Sequence, residues 1–181
     1  MKSLPFLTLF AFLTAAGADA DSVTLKGHSY PRKLEAHGAD WEIQGAKHFV
    51  YKVFFSVFTG AYYEQVDGEG KRLKFTYTRD LKARDLVKQA DKQLSATNSK
   101  QVLAGYAAPL KGMQEAYVDV KEGDSYVITA LPGKGTWLEL NGKERFFTDD
   151  ADFGIWYLDI WLGDPPINED LKEALTKGKH I

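Results

Sequence analysis

The chain has 181 residues, 23 basic and 25 acidic, for a formal net charge of −2, with 44% hydrophobic residues and no cysteine. That balance gives no electrostatic case for nucleic acid or an anionic membrane surface, and the missing thiols exclude a disulfide framework and a thiolate site. A chain of this length suits one domain with a single core that needs no staples.

The first twenty residues, MKSLPFLTLFAFLTAAGADA, place Lys2 before an apolar run, Leu4 to Gly17, that ends in Ala18-Asp19-Ala20. The run is shorter than the roughly 20 residues needed to cross a bilayer core, and small-x-small is a cleavage pattern. Residues 1–20 are therefore expected to be a secretory signal peptide and 21–181 a single mature domain, periplasmic or secreted. Lys2 and Asp19 leave together, so the mature charge stays at −2. No later run is apolar and long enough to span, so no integral membrane segment is expected in the mature chain.

"VTLKG" and "KLEAHGADWEI" read as short strands with glycine breaks. From Phe49 to Tyr63, "FVYKVFFSVFTGAYY" is rich in β-branched and aromatic residues and predicts one long strand, with Phe49, Tyr51, Val53, Phe55 and Val57 sharing a face. "VDGEGK" supplies a turn, and "RLKFTYTR" alternates as a half-buried strand in which Leu73, Phe75 and Tyr77 oppose Lys74, Thr76 and Thr78. The period then changes. Ala83, Leu86, Val87, Ala90 and Leu94 form a helical stripe preceded by Asp80 as cap, and a second helix carrying Val102, Leu103, Tyr106, Ala107 and Leu110 is expected to end at Pro109.

"DSYVITALPGKGTWLELNGKERFF" predicts a meander: two alternating strands flank "PGKG", and "NG" gives the two left-handed residues of a tight hairpin. Gly133-Lys134-Gly135 lacks the spacing and the following helix of a phosphate loop. In "FGIWYLDIWLG" Phe153, Trp156, Tyr157, Ile160 and Trp161 recur at helical spacing, with Ile155, Leu158 and Leu162 covering the other side. The expectation is a helix buried nearly all round, with Trp156 and Ile160 in the core. Gly163 is expected to end it as a C′ residue, and Asn168 to cap a last helix with Glu169 and Asp170 in its first turn and Lys177 and Lys179 at its end.

Taken together, "GAKHFVYKVFFSVFTGAYY", "GDSYVITALPGKGTWLELNGK" and "FGIWYLDIWLGDPPINEDLKEALTKG", in that order, resemble the bacterial chalcone isomerase-like proteins over nearly the whole mature chain. The resemblance implies an α+β open-faced β-sandwich, in which a large antiparallel sheet is covered by a layer of helices with a ligand cleft between them. Plant members close a flavonoid ring with an arginine where the long strand begins, a threonine on that strand, and a tyrosine and an asparagine from the helical layer. Here the arginine position, counted back from Gly60, is Lys47, which keeps the charge but loses the planar fork. The threonine position is Val57, without a hydroxyl, and Asn98 precedes Tyr106, the reverse of the enzymes' order.

No catalytic constellation is therefore expected. The resemblance instead implies a non-catalytic binder of a small apolar or amphipathic molecule, such as the fatty acids held by other families of the fold. The candidate ligand-binding residues are Lys47 for an anionic head group and Phe55, Val57 and Tyr106 for the tail. The alternative is a divergent intramolecular lyase in which Lys47 polarises a carbonyl and Tyr106 supplies a proton. His28, His37, His48 and His180 show no metal-site spacing, no Gly-x-Ser-x-Gly elbow is present, and neither metal nor cofactor is expected.

Overall fold

The computed structural model describes residues 21–178 apart from 52–54, and of Tyr51 and Phe55 the backbone alone. The expected signal segment 1–20, Lys52, Val53, Phe54, Lys179 and His180 lie outside the described residues. A hairpin of β1 (Ser22–Leu25) and β2 (His28–Pro31) is followed by β3 (Lys33–Ala36), β4 (Ala39–Tyr51), β5 (Phe55–Gln65) and β6 (Lys71–Tyr77). Three helices come next, α1 (Ala83–Thr97), α2 (Lys100–Gly105) and α3 (Ala107–Ala116). The meander β7 (Ser125–Leu131), β8 (Gly135–Leu140) and β9 (Lys143–Thr148) precedes α4 (Ala151–Leu162) and α5 (Glu169–Thr176). Strands β3 to β9 form one antiparallel sheet in sequence order.

Period-2 alternation divides this sheet between two cores. Leu73, Phe75 and Tyr77 of β6 and Tyr126 and Ile128 of β7 face the helices. Trp41, Ile43, Ala61, Tyr63 and Leu131 face the opposite way, where Val23 and Tyr30 of the β1–β2 hairpin cover them. Tyr30 fixes that cover by hydrogen-bonding the carbonyl (2.9 Å) and the hydroxyl of Thr59. Arg72 crosses the same face, donating to Thr129 Oγ1 and to Glu139 Oε2 (3.2 Å).

Two glycines let the helices approach the sheet. A Cβ at Gly45 would strike the backbone carbonyl oxygens of Ala174 and Leu175 in α5, and one at Gly154 in α4 would strike Thr136 Oγ1 and, at 2.7 Å, Ala130 Cβ. At these two sites backbone lies against the neighbouring element with no room for a side chain.

Several local expectations hold and several are corrected. Asn141 and Gly142 take φ of 52° and 74°, as the tight hairpin requires, and Asn168 caps α5 by accepting from Leu171 N at 2.8 Å. The expected single strand from Phe49 to Tyr63 is two strands: Tyr51 pairs with Phe55 and Phe49 with Phe58, so the chain reverses inside an aromatic run that has no glycine, proline or asparagine. Phe49 and Val57 are consequently not neighbours along one strand. Asp80 does not cap α1. It accepts from Lys121 Nζ and Glu122 N, while Asp119 Oδ1 takes the Ala83 N–H.

Pro109 does not terminate a helix either, because α2 stops at Gly105 and Pro109 lies in the first turn of α3, where its missing N–H has no helical partner to lose. Gly163 caps α4 in an extended conformation, φ −78°, rather than as a left-handed C′ residue. Ile160 is 1% exposed, as expected of core, but Trp156 is half-buried. Its Nε1 donates to Asn98 Oδ1 at 2.8 Å and its ring stacks on Tyr106. Phe153, fully buried, holds the central position instead. Phe153→Ala should therefore cost about 3–5 kcal/mol and Trp156→Ala clearly less, measured by urea unfolding of the two variants side by side. Equal losses would show that the two rings are equally buried.

Candidate functional site

A cavity of about 850 Å³ lies between the helix-facing side of the sheet and helices α1, α4 and α5. Its walls are largely aromatic. Phe49, Phe58 and Phe75 come from β4, β5 and β6, and Trp161 and Ile160 from α4. Phe49 stacks on Phe58 at 5.0 Å, Phe58 meets Phe75 edge-on at 4.7 Å, and Phe75 meets Trp161 at 5.1 Å, so these rings form one continuous apolar surface.

Four tyrosines add phenolic groups to this surface: Tyr77 at the end of β6, Tyr117 after α3, Tyr126 in β7 and Tyr157 in α4. Tyr77 and Tyr117 each lie within ring contact of Tyr126, at 6.2 and 4.8 Å, and the Tyr157 hydroxyl donates to the Tyr117 hydroxyl at 3.3 Å. Tyr126 is held by the backbone of Val118, accepting from its N–H at 2.8 Å. Burial raises the pKa of all four above the ordinary phenol value. For Tyr77 the repulsion its phenolate would feel from the neighbouring Tyr117 and Tyr126 adds to this. All four are therefore neutral hydrogen-bonding groups at physiological pH.

The rim is polar. Helix α1 crosses it, contributing Leu86, Gln89, Lys92 and Gln93, and Asn168 stands at the start of α5. Among the lining residues the formal charges are Arg79 and Lys92, both cationic and both exposed. No carboxylate is among them. Helix α1 buries Ala90 and Leu94 and packs Leu86 against the same core, and its polar ties are Ala83 N and Lys82 to Asp119, Gln114 to Asp91, and Gln93 to the Pro165 carbonyl at 2.8 Å.

The four residues singled out from the sequence are dispersed. Val57 lines the cavity. The side chain of Phe55 lies outside what the structure describes. Lys47 is paired with Gly60, and Gly60 with Phe75, so it is on the cavity side of the sheet. It is half-buried, is not among the lining residues, and its Nζ donates to the Asp170 carbonyl in α5 at 3.0 Å. Tyr106 stacks on Trp156 at 4.6 Å and packs on Phe153, also apart from the lining.

The residues that sequence reasoning missed are Arg79 and the four tyrosines. One signal pointed to the first of them: the alternation Leu73, Phe75, Tyr77 places Tyr77 on the buried face and, two residues on, aims Arg79 the same way. Nothing local links Tyr77, Tyr117, Tyr126 and Tyr157, because they come from separate elements. Among the described residues no group of histidines and carboxylates is arranged to hold a metal ion.

The architecture, a large antiparallel sheet with helices on one side and a cavity between, is that of the chalcone isomerase fold. The chain belongs to the chalcone isomerase-like family, whose model matches residues 22–176. Among solved structures it is similar to a fatty-acid binding protein of Arabidopsis thaliana, with a TM-score of 0.65 and 10% identity over 86% of this chain and 96% of that one. No curated protein matches the sequence.

The raised tyrosines set a pH limit. Each keeps its proton in the folded state above pH 10, the ordinary value, at which the unfolded chain gives it up. Their contribution to stability is complete below that pH and is lost as pH rises through the folded-state values. The unfolding midpoint should stay level up to about pH 9 and fall above 10, with tyrosinate absorbance appearing together with unfolding. Full tyrosinate absorbance from a chain still folded at pH 11 would show that the cluster is open to solvent.

Proposed function

We propose that this protein binds an amphipathic anionic molecule, such as a fatty acid, without acting on it. The observation that carries this reading is a cavity of about 850 Å³ with aromatic walls whose lining charges are both positive, in a chain of net negative charge. The volume lies in the range of small-molecule sites, and burial of a hydrocarbon tail at about 0.8 kcal/mol per methylene is the main source of affinity. Arg79 and Lys92 orient the head group at the rim. Lys47, on the same side of the sheet, joins them once its bond to the Asp170 carbonyl is exchanged.

A non-catalytic role is supported by Val57, which brings no hydroxyl to the cavity where the ring-closing enzymes use a threonine, and by Tyr106, which stands apart from the lining. The fatty-acid binding protein that shares the fold is a further support. Export through a cleaved signal at residues 1–20 belongs to the same proposal. It places the mature N-terminus at Asp21, which intact-mass measurement of the protein from its own envelope or medium fraction checks.

Affinity for hexadecanoate, measured by calorimetry at low and physiological salt, tests the site. Arg79→Met should weaken it roughly two- to fivefold, the scale of an exposed ion pair, with the difference shrinking at high salt. An uncharged ligand of equal chain length should be unaffected. If Lys47→Met weakens the carboxylate more than Arg79→Met does, the head group sits at α5 rather than at the end of β6. No binding by the wild-type chain would remove the proposal.

A further inference from the structure

The phenolic cluster holds more hydrogen-bonding capacity than the protein uses. Tyr77 is 5% exposed and lines the cavity, yet its hydroxyl has no hydrogen-bond partner among the described residues. It is not sealed in: the one fully enclosed side-chain polar atom without a partner among those residues is the Tyr63 hydroxyl, on the other face of the sheet. Tyr117 accepts a hydrogen bond from Tyr157, which leaves its own proton without an acceptor among the described residues. Tyr126 is occupied by Val118. Two neutral phenol donors, Tyr77 and Tyr117, thus both stand against the Tyr126 ring in a largely aromatic wall.

A plain hydrocarbon chain laid over these donors would displace water from them and put nothing in its place. An unsatisfied buried hydroxyl costs more than a hydrogen bond returns, and sites that carry such donors discriminate strongly between a ligand that has the matching oxygen and one that lacks it. Carboxylate is the wrong match for the interior, because a buried charge beside neutral phenols is paid for by no cation there. A hydroxyl or ketone oxygen fits. Its position along the ligand is also constrained: Arg79 follows Tyr77 by two residues and both line the cavity, so an oxygen at Tyr77 lies toward the carboxylate end of a ligand whose head group is at Arg79.

We infer that the Tyr77–Tyr117 pair is a subsite for an uncharged oxygen function near the carboxylate end of the ligand, so that the preferred ligands are hydroxy- or oxo-fatty acids rather than plain ones. This rests on the fatty-acid reading of the cavity and narrows it.

The test compares hexadecanoate with 3-hydroxyhexadecanoate and 16-hydroxyhexadecanoate on the full mature chain by calorimetry. The 3-hydroxy acid should bind about three- to tenfold more tightly than hexadecanoate, the scale of one neutral hydrogen bond, and the 16-hydroxy acid no more tightly. In Tyr77→Phe the advantage of the 3-hydroxy acid over hexadecanoate should vanish. Equal wild-type binding of hexadecanoate and the 3-hydroxy acid would overturn the subsite and leave the fatty-acid reading standing, whereas binding of none of the three would overturn both. Thermal unfolding gives a second reading: loss of an unpartnered hydroxyl should leave the midpoint of Tyr77→Phe equal to wild type or higher, and a clear drop would mean that the hydroxyl is already bonded within the protein.

Discussion

Everything in the helical layer depends on how closely two helices can approach the sheet. At Gly45 the carbonyls of α5, and at Gly154 the side chains of β7 and β8, occupy the space a Cβ would need. Close packing there gains dispersion contacts that a methyl group would forfeit by holding the elements apart. It also fixes α4 and α5 at a set height over β4, β7 and β8. Over β5 and β6 the space between is spanned by large rings rather than by backbone contact, and the cavity is what remains between them.

The two faces of the sheet serve different ends. On the hairpin side Tyr30, Trp41 and Tyr63 pack with small residues such as Ala46 and Ala61, and Arg72 is neutralised by Glu139. Burial lowers the Arg72 pKa, and its carboxylate partner opposes that shift. On the helix side the cavity wall carries the phenols of Tyr77, Tyr117, Tyr126 and Tyr157, and the hydroxyl of Tyr77 has no hydrogen-bond partner among the described residues. A core built only for stability would satisfy it. The unpartnered Tyr63 hydroxyl of the hairpin side is enclosed, whereas Tyr77 on the helix side opens onto the cavity.

Much of the fold was legible because its signals are local. The "NG" hairpin, the alternation of Leu73, Phe75 and Tyr77, and the cap at Asn168 each need only a few neighbouring residues, and each is where the sequence places it. The misses share the opposite property. Tyr51 pairs with Phe55 across a stretch without glycine, proline or asparagine, so no local turn signal divides the two strands. Asp80 looked like a cap but is claimed by Lys121 and Glu122, some forty residues on. The site was harder still, since Tyr77 and Tyr157 meet only once the sheet and α4 are assembled. The resemblance to a family pointed to Lys47 and Val57 by counting from Gly60, and could not indicate that a hydrogen bond to Asp170 holds the lysine.

Helix α1 roofs the cavity with few buried side chains, and it is tied down at its ends by exposed groups such as Lys82 with Asp119 and Gln93 with Pro165. Contacts of that kind are individually weak and exchange readily with water. The two sides of the cavity are thus held differently: the aromatic wall is rooted in the sheet and α4, while the α1 side combines the core anchors Ala90 and Leu94 with surface bonds.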